Sequence, residues 1–210
     1  MQVTEENSGA DRRVGIIETS TELFLKNGYS GTSMSKIAAA CGITKASLYH
    51  HFAGKEELFV ACVTHGYSAA LVALEEIASR SGPTAEDKLR AALSALYETI
   101  ISSPVGRMSP LIAEVSRMFP TVARSFHTEY IEPQQALLWR IIDQGVENGT
   151  FLKVDERQIF HLIFGPIVML SLSREMFASF DDLDTHFPVL QLRDGHIDAI
   201  LGMMKAKSDA

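Results

Sequence analysis

Between Lys26 and Lys55 the chain holds four basic residues, Lys26, Lys36, Lys45 and Lys55, and no acidic one. Ammonium groups attract a phosphate backbone and carboxylates are repelled by it, so an acid-free window suits contact with nucleic acid. His50 and His51 lie in the same window. Neighbouring histidines on a helix point about 100° apart, and no cysteine or carboxylate stands close by to complete a metal site. DNA contact or plain exposure fits them better. Catalytic signatures are missing. The sequence has no Gly-x-Ser-x-Gly elbow, no Gly-x-x-x-x-Gly-Lys loop and no His-Glu-x-x-His. The carboxylates of Asp181-Asp182-Leu183-Asp184 read as a solvated turn. The chain is not read as an enzyme, and no cofactor or catalytic metal is expected.

The stretch from Thr32 to Lys55 must position these groups. Met34, Ile37, Ala38 and Cys41 recur at helical spacing and form one apolar face. Gly42 follows where a helix needs positive φ to stop. Thr44 stands at an N-cap position, and Lys45 to Phe52 form a second short helix anchored by Leu48 and Phe52. Helix, glycine turn, helix is the form of a helix-turn-helix, whose second helix enters the DNA major groove. Before it, a helix from about Asp11 to Asn27 carries Ile16, Ile17, Leu23 and Phe24 with Ser20 on the same side. Gly28 is its stop and Thr32 the expected cap of the next helix.

The 210 residues suffice for one large domain or two small ones, and 46% are hydrophobic. Net charge is −1 over the first 60 residues and −6 over the rest. An acidic body behind a near-neutral head limits non-specific adhesion to nucleic acid. Cys41 and Cys62 form no Cys-x-x-Cys pair, so no disulfide framework or zinc ribbon is expected. The polar N-terminus lacks the apolar stretch of a signal peptide. The longest apolar run, near Ile159 to Leu172, is interrupted by His161, Gly165 and Pro166, which argues against a membrane span. A cytoplasmic location is the expectation.

The remainder reads as helices, with no convincing strand period, which gives an all-α fold. A long helix starts near Gly54 or Lys55, turns Leu58, Phe59, Cys62, Val63, Ala69, Ala70, Ala73 and Ile77 inward, and breaks at Ser81-Gly82-Pro83-Thr84. Further helices are expected at about 85–102, 133–147, 155–177 and 185–205, with shorter ones punctuated by Pro104, Pro110, Pro120 and Pro133. Gly165-Pro166 should kink the helix that contains it. Asn148-Gly149-Thr150 reads as a helix-ending turn. Domain boundaries follow: a disordered arm at 1–10, a helix-turn-helix domain at 11–57 and a larger helical domain at 58–210.

The span Ile16 to Leu58 resembles the tetracycline-repressor (TetR) family of bacterial transcription regulators. The resemblance rests on Leu23-Phe24, Gly28-Tyr29, Thr32-Ser33, Ile37-Ala38, Gly42-Ile43, Leu48-Tyr49-His50-His51-Phe52 and Lys55-Glu56 at fixed spacing. It implies a three-helix DNA-binding head, a C-terminal ligand-sensing and dimerisation domain, and a homodimer. By position, Thr44, Lys45, Ala46, Ser47, Tyr49 and His50 belong to the recognition helix and its start. Lys55 resembles the family's phosphate-binding lysine. Thr32 and Ser33 open the preceding helix and would meet phosphate. Gly54 departs from the Ser or Asn common at that cap.

For the sensing domain, the candidate pocket is apolar, lined by Tyr97, Met108, Met118, Phe126, Trp139 and Phe160, with Arg117 or His127 as polar anchor. The resemblance implies that the helices at about 155–177 and 185–205 pair with their copies as the dimer interface; the first is apolar nearly all round and must be covered on more than one side, which a dimer partner would supply. The expected function is a ligand-responsive regulator, a repressor released from a palindromic operator by a small, largely apolar effector. The competing reading is a helical small-molecule-binding or interaction protein without operator binding.

Overall fold

The structure is a computed structural model that describes residues 3–104 and 106–205, with side chains from Asp11 onward. Among the described residues there are eleven α-helices and no strand, apart from one isolated antiparallel bridge between Phe151 and Lys205. By contacts between elements the chain divides into two compact units. The first runs to Tyr67 and adds Met108–Glu129; the second takes Ser68–Arg107 and everything from Tyr130. The segment 108–129 therefore joins the N-terminal unit, across the linear boundary expected at residue 57.

In the first unit α1 spans Val3–Gly31, α2 Met34–Ala40, α3 Lys45–His51, and α4 begins at Lys55 and runs to Ser79. Residues 3–10 continue α1 instead of forming a disordered arm. That segment has no proline to interrupt a helix. Gly28 breaks the helical path with φ 70, and Gly42 turns the chain between α2 and α3 with φ 64. Ile16, Ile17, Ser20 and Phe24 of α1 are buried with Met34, Ile37, Ala38, Leu48, Phe52, Leu58 and Phe59. Helices α6 (Ser109–Met118) and α7 (Pro120–Phe126) complete this unit and bury Met108, Ile112, Val115 and Val122. Their order, with a proline opening each, follows the tolerance for proline in the first helical turn.

The second unit centres on α5 (Ala85–Tyr97), whose Thr84 and Asp87 form a capping box. Leu89, Ala92, Leu93, Leu96 and Tyr97 of α5 pack with Leu138, Ile141 and Ile142 of α8 (Glu132–Glu147) and with Ile159, Ile163 and Ile167 of α9 (Glu156–Met176). In the part of α4 that belongs here, Leu74 and Ala78 are the buried residues, whereas Ala69 is exposed. The helix expected from about residue 185 is split into α10 (Leu183–His186) and α11 (Val189–Met204). Pro188 is the cause: a residue before proline is driven out of the helical region, and Phe187 has φ −129 and ψ 65.

Helix α9 continues through Pro166. Proline has no N–H for the carbonyl four residues back, which is that of Leu162. His196 of α11 supplies the donor: its Nε2 lies 3.0 Å from the Leu162 oxygen, and its Nδ1 accepts from the Tyr97 hydroxyl at 2.9 Å. One imidazole thus ties α5, α9 and α11 together. The outer faces of α9 and α11 remain apolar, with Leu162, Val168, Met169, Met176, Leu190, Leu192 and Met203 exposed. Leu190 is 65% exposed. Both α4 and α9 are long and apolar enough, by length and composition, to cross a membrane. Each also carries a line of residues buried against protein, Leu58, Phe59, Cys62 and Val63 in α4 and Ile159, Ile163, Ile167 and Leu170 in α9.

Candidate functional site

Helix α3 is held by two apolar side chains and one cap. Leu48 and Phe52 are buried at 0% and 1% exposure. Thr44 has extended backbone, and its Oγ1 accepts from the Ser47 N–H at 3.1 Å, as an N-cap does. That arrangement leaves Thr44, Lys45, Ala46, Tyr49 and His50 exposed and Ser47 half-buried. The Lys45 ammonium stands 5.8 Å from the centre of the Tyr49 ring. The outer surface of α3 therefore presents an ammonium, a phenol, an imidazole and a hydroxyl, with no carboxylate on α2, α3 or their turn. Such groups donate to phosphate oxygens and to base edges.

Arg13 fixes the far end of the same helix. Its Nη1 donates to the His51 carbonyl at 3.1 Å, and its guanidinium lies 4.1 Å from the Phe52 ring centre. Cations at a helix C-terminus stabilise the negative end of the dipole. Sequence reasoning missed this residue. The signal was present: Arg13 precedes Ile16 and Ile17 by three and four positions, which puts it on the inward side of α1.

The entry to α2 is organised differently from expectation. Ser33, not Thr32, is the N-cap, with Oγ accepting from the Lys36 N–H at 3.3 Å. Thr32 is 1% exposed, and its hydroxyl proton is shared between the carbonyls of Gly28 (2.8 Å) and Leu23 (3.1 Å). A hydroxyl so engaged does not face outward to phosphate. The reason is Gly28: where the helical path breaks, carbonyls lose their helical donors and must be satisfied otherwise. Lysines do the same work nearby. Lys36 Nζ donates to the Gly31 carbonyl at 2.8 Å. Lys55 Nζ donates to the carbonyls of Tyr29 and Thr32 at 2.9 and 3.0 Å and sits 4.1 Å from the Tyr29 ring centre. Burial lowers the Lys55 pKa, and burial with the nearby Glu56 charge raises that of the Tyr29 phenol. Two of the three Lys55 N–H groups are committed to backbone, so the residue shapes the head before it meets any ligand.

Segment 108–129 reaches the same junction. Phe119 meets Tyr29 edge-on at 5.8 Å, and Tyr29 packs with Phe24 and Phe59 at 5.8 and 5.3 Å. The Thr121 hydroxyl donates to the Glu56 carboxylate. Glu57, one residue on, accepts from the Ala53 N–H at 2.7 Å and so reinforces the start of α4 at Gly54.

The residues expected to line an apolar pocket are not gathered within either unit. Met108, Arg117, Met118 and Phe126 belong to the first, and Tyr97, Trp139 and Phe160 to the second. Met108 is fully buried, Arg117 and Met118 are exposed, and Phe126 packs on Tyr67 at 5.2 Å. Tyr97 is buried with its hydroxyl on His196, and burial pushes its pKa up to about 12. Trp139 is half-buried against the core, and Phe160 packs on Phe164 at 4.4 Å. Core packing competes with pocket lining for the same residue types, and spacing along one helix does not separate them. Burial also pushes the Cys62 thiol up to about 12 and raises Cys41, which disfavours the reactive thiolate. Among the described residues no group of three or more His, Cys, Asp or Glu is placed to hold a metal ion.

Comparison with known proteins bears on the same region. Residues 16–62 match the profile of the family described as "Bacterial regulatory proteins, tetR family". YuxN of Bacillus subtilis, an uncharacterized HTH-type transcriptional regulator, is 34% identical over 86 residues. The match spans 41% of this chain but only 29% of YuxN. YxaF of the same organism, another uncharacterized HTH-type transcriptional regulator, is 29% identical over 201 residues, covering 90% of this chain and 99% of YxaF. Among solved structures, the transcriptional regulator FadR of Bacillus subtilis in complex with stearoyl-CoA shares the fold with a TM-score of 0.75. It is 19% identical, and the match covers 90% of this chain and 98% of FadR. AibR in complex with isovaleryl coenzyme A and operator DNA has a TM-score of 0.67 at 23% identity, with 90% and 97% covered. A short exposed helix on a buried Leu-Phe anchor lies within residues 16–62, the part that is similar to the tetR family of bacterial regulatory proteins, and the fold is shared with solved transcriptional regulators along nearly the whole chain.

Proposed function

We propose that the protein is a ligand-responsive transcriptional regulator, a repressor that reads operator DNA through α3. The observation that carries this reading is the exposed, acid-free face of Thr44, Lys45, Ala46, Tyr49 and His50 on a helix anchored by Leu48 and Phe52. Lys45, Ser47, Tyr49 and His50 are assigned to bases and neighbouring phosphates, and Ser33 with the free N–H of Lys55 to phosphate. Thr32 is assigned no contact through its hydroxyl.

The working form is a homodimer through the outer faces of α9 and α11. Their exposed Met169, Met176 and Leu190, at 66%, 75% and 65%, give a reason for two copies to associate. A two-fold dimer reads two half-sites about 34–36 Å apart, so the operator is palindromic. The effector is a small, largely apolar molecule. Binding of acyl-CoA by FadR and AibR supports a ligand with a long or branched apolar part. An effector that favours a head arrangement unsuited to the operator lowers DNA affinity by its preference for that arrangement. A cytoplasmic location and the absence of enzymatic activity go with this reading.

Fluorescence anisotropy with DNA from upstream of the protein's own gene tests it. Saturable binding that weakens steeply with salt is expected. Salt-independent binding, or none, would leave the competing reading of a binding protein without an operator. Sedimentation should give a dimer, and Met169→Glu a monomer of weakened DNA affinity.

A further inference from the structure

We propose a second binding site, for a phosphate-bearing anion, in the groove where α4 ends and α5 and α8 meet. The groove has a volume of about 650 Å³ and is lined by Arg80, Lys88, Arg140, Gln144 and Asn148 together with the Ser81–Thr84 turn. No carboxylate lines it, although the chain beyond residue 60 has a net charge of −6.

Lys88 is the central feature. It is 8% exposed, and its ammonium donates to the Ala78 carbonyl at 3.0 Å and to Gln144 Oε1 at 3.1 Å. Both partners are neutral. Ala78 lies in the last turn of α4, whose dipole supplies about half a negative charge. The remaining charge has no counter-ion among the described residues, and one N–H is unused. Buried charges are otherwise paired. Arg80, exposed on the rim, likewise forms no ion pair among the described residues. Arg140 shares one nitrogen between Glu75 (2.7 Å) and Ser79 (3.3 Å), which leaves its other donors. Because Gln144 turns its oxygen to Lys88, its amide N–H groups are donors too.

Three cations and an amide thus surround one space, and the carboxylates bonded to its lining are Glu75, on Arg140, and Asp87, on Thr84. A cationic ligand is repelled there, and an apolar one leaves the donors unsatisfied. A phosphate offers several acceptor oxygens and more than one negative charge, which matches the donor set. A groove of this size also accommodates a phosphate carried on a larger molecule. The assignment does not depend on operator reading.

The test is isothermal titration of the full chain with inorganic phosphate and with adenosine 3′,5′-bisphosphate, at fixed ionic strength. Saturable binding is expected, weakened about tenfold or more by Lys88→Met and reduced by Arg80→Ala. Should Lys88→Met fail to fold, Arg80→Ala and Gln144→Ala, both at exposed positions, decide the matter. Binding of both probes supports the site with free phosphate as a sufficient ligand. Binding of the nucleotide alone supports it with phosphate borne on a nucleoside. Binding of neither, or binding undiminished in Arg80→Ala and Gln144→Ala, overturns it.

Discussion

Replacing Lys55 by methionine separates two roles that a lysine at this position can play. Methionine keeps much of the alkyl stem and removes the ammonium. The loss comprises the hydrogen bonds to the Tyr29 and Thr32 carbonyls and the contact with the Tyr29 ring. A bond to a charged group contributes about 1.5–3 kcal/mol, and water replaces part of it because Lys55 is only half-buried. The cation–π contact adds about 0.5–1 kcal/mol. Desolvation of the ammonium, visible in its lowered pKa, is relieved by the change and offsets part of this. A net loss of about 2–3 kcal/mol follows, which for a chain of this length lowers Tm by about 5–10 °C. Operator affinity, measured well below that temperature, should fall alike for all sequences, because the entry to α2 loosens. The assays are thermal unfolding by circular dichroism and anisotropy across a salt series. If Lys55 served only as a phosphate ligand, Tm would stay within about 1 °C and the salt slope would fall by about one charge. That pair of results would refute the positioning role.

Tyr49→Ala and Lys45→Ala should leave stability within about 0.5 kcal/mol while weakening operator binding, since both side chains are exposed. Leu48→Ala, at a fully buried site, should cost about 2–5 kcal/mol and reduce binding through the fold. Gly145→Ala places a Cβ 2.0 Å from the Phe151 ring, so chemical denaturation should show a loss of about 1–3 kcal/mol, partly recovered by adding Phe151→Leu. His196 is held below its usual 6.5 by burial, an effect partly opposed by its bond to Leu162. The unfolded chain therefore takes up the proton first. This part of the stability is present above about pH 6.5 and is lost as pH falls from there toward the folded pKa. Melting curves between about pH 7.5 and 5 should show a steeper acid loss for the parent than for His196→Gln.

What the sequence disclosed and what it hid differ in physical kind. Local backbone demands were legible. Gly42 at positive φ, Thr44 as a cap and Leu48 with Phe52 as anchors depend on neighbours within a few residues. Side-chain direction across tens of residues was not. Thr32 and Lys55 looked outward by analogy, yet both turn to carbonyls exposed by the break at Gly28. Arg13 answers a need at His51 that no local pattern records. The apolar pocket set was ambiguous for a related reason: Met108 and Tyr97 are buried and serve equally well as core, and only the assembled packing distinguishes the uses. The split at Pro188 was readable from the proline itself but was overridden by the apolar spacing around it.

The placement of segment 108–129 bears on how the DNA-reading unit comes into being. Phe119 and Val122 bury apolar surface in that unit, and Thr121 bonds Glu56, yet some forty intervening residues belong to the other unit. During synthesis the reading unit is therefore unfinished when residue 67 leaves the ribosome, and it closes only after residue 129 has emerged. For the same reason, a chimera that grafts residues 1–67 onto a foreign body severs a discontinuous fold. A graft that carries 108–129 as well transfers the complete structural unit.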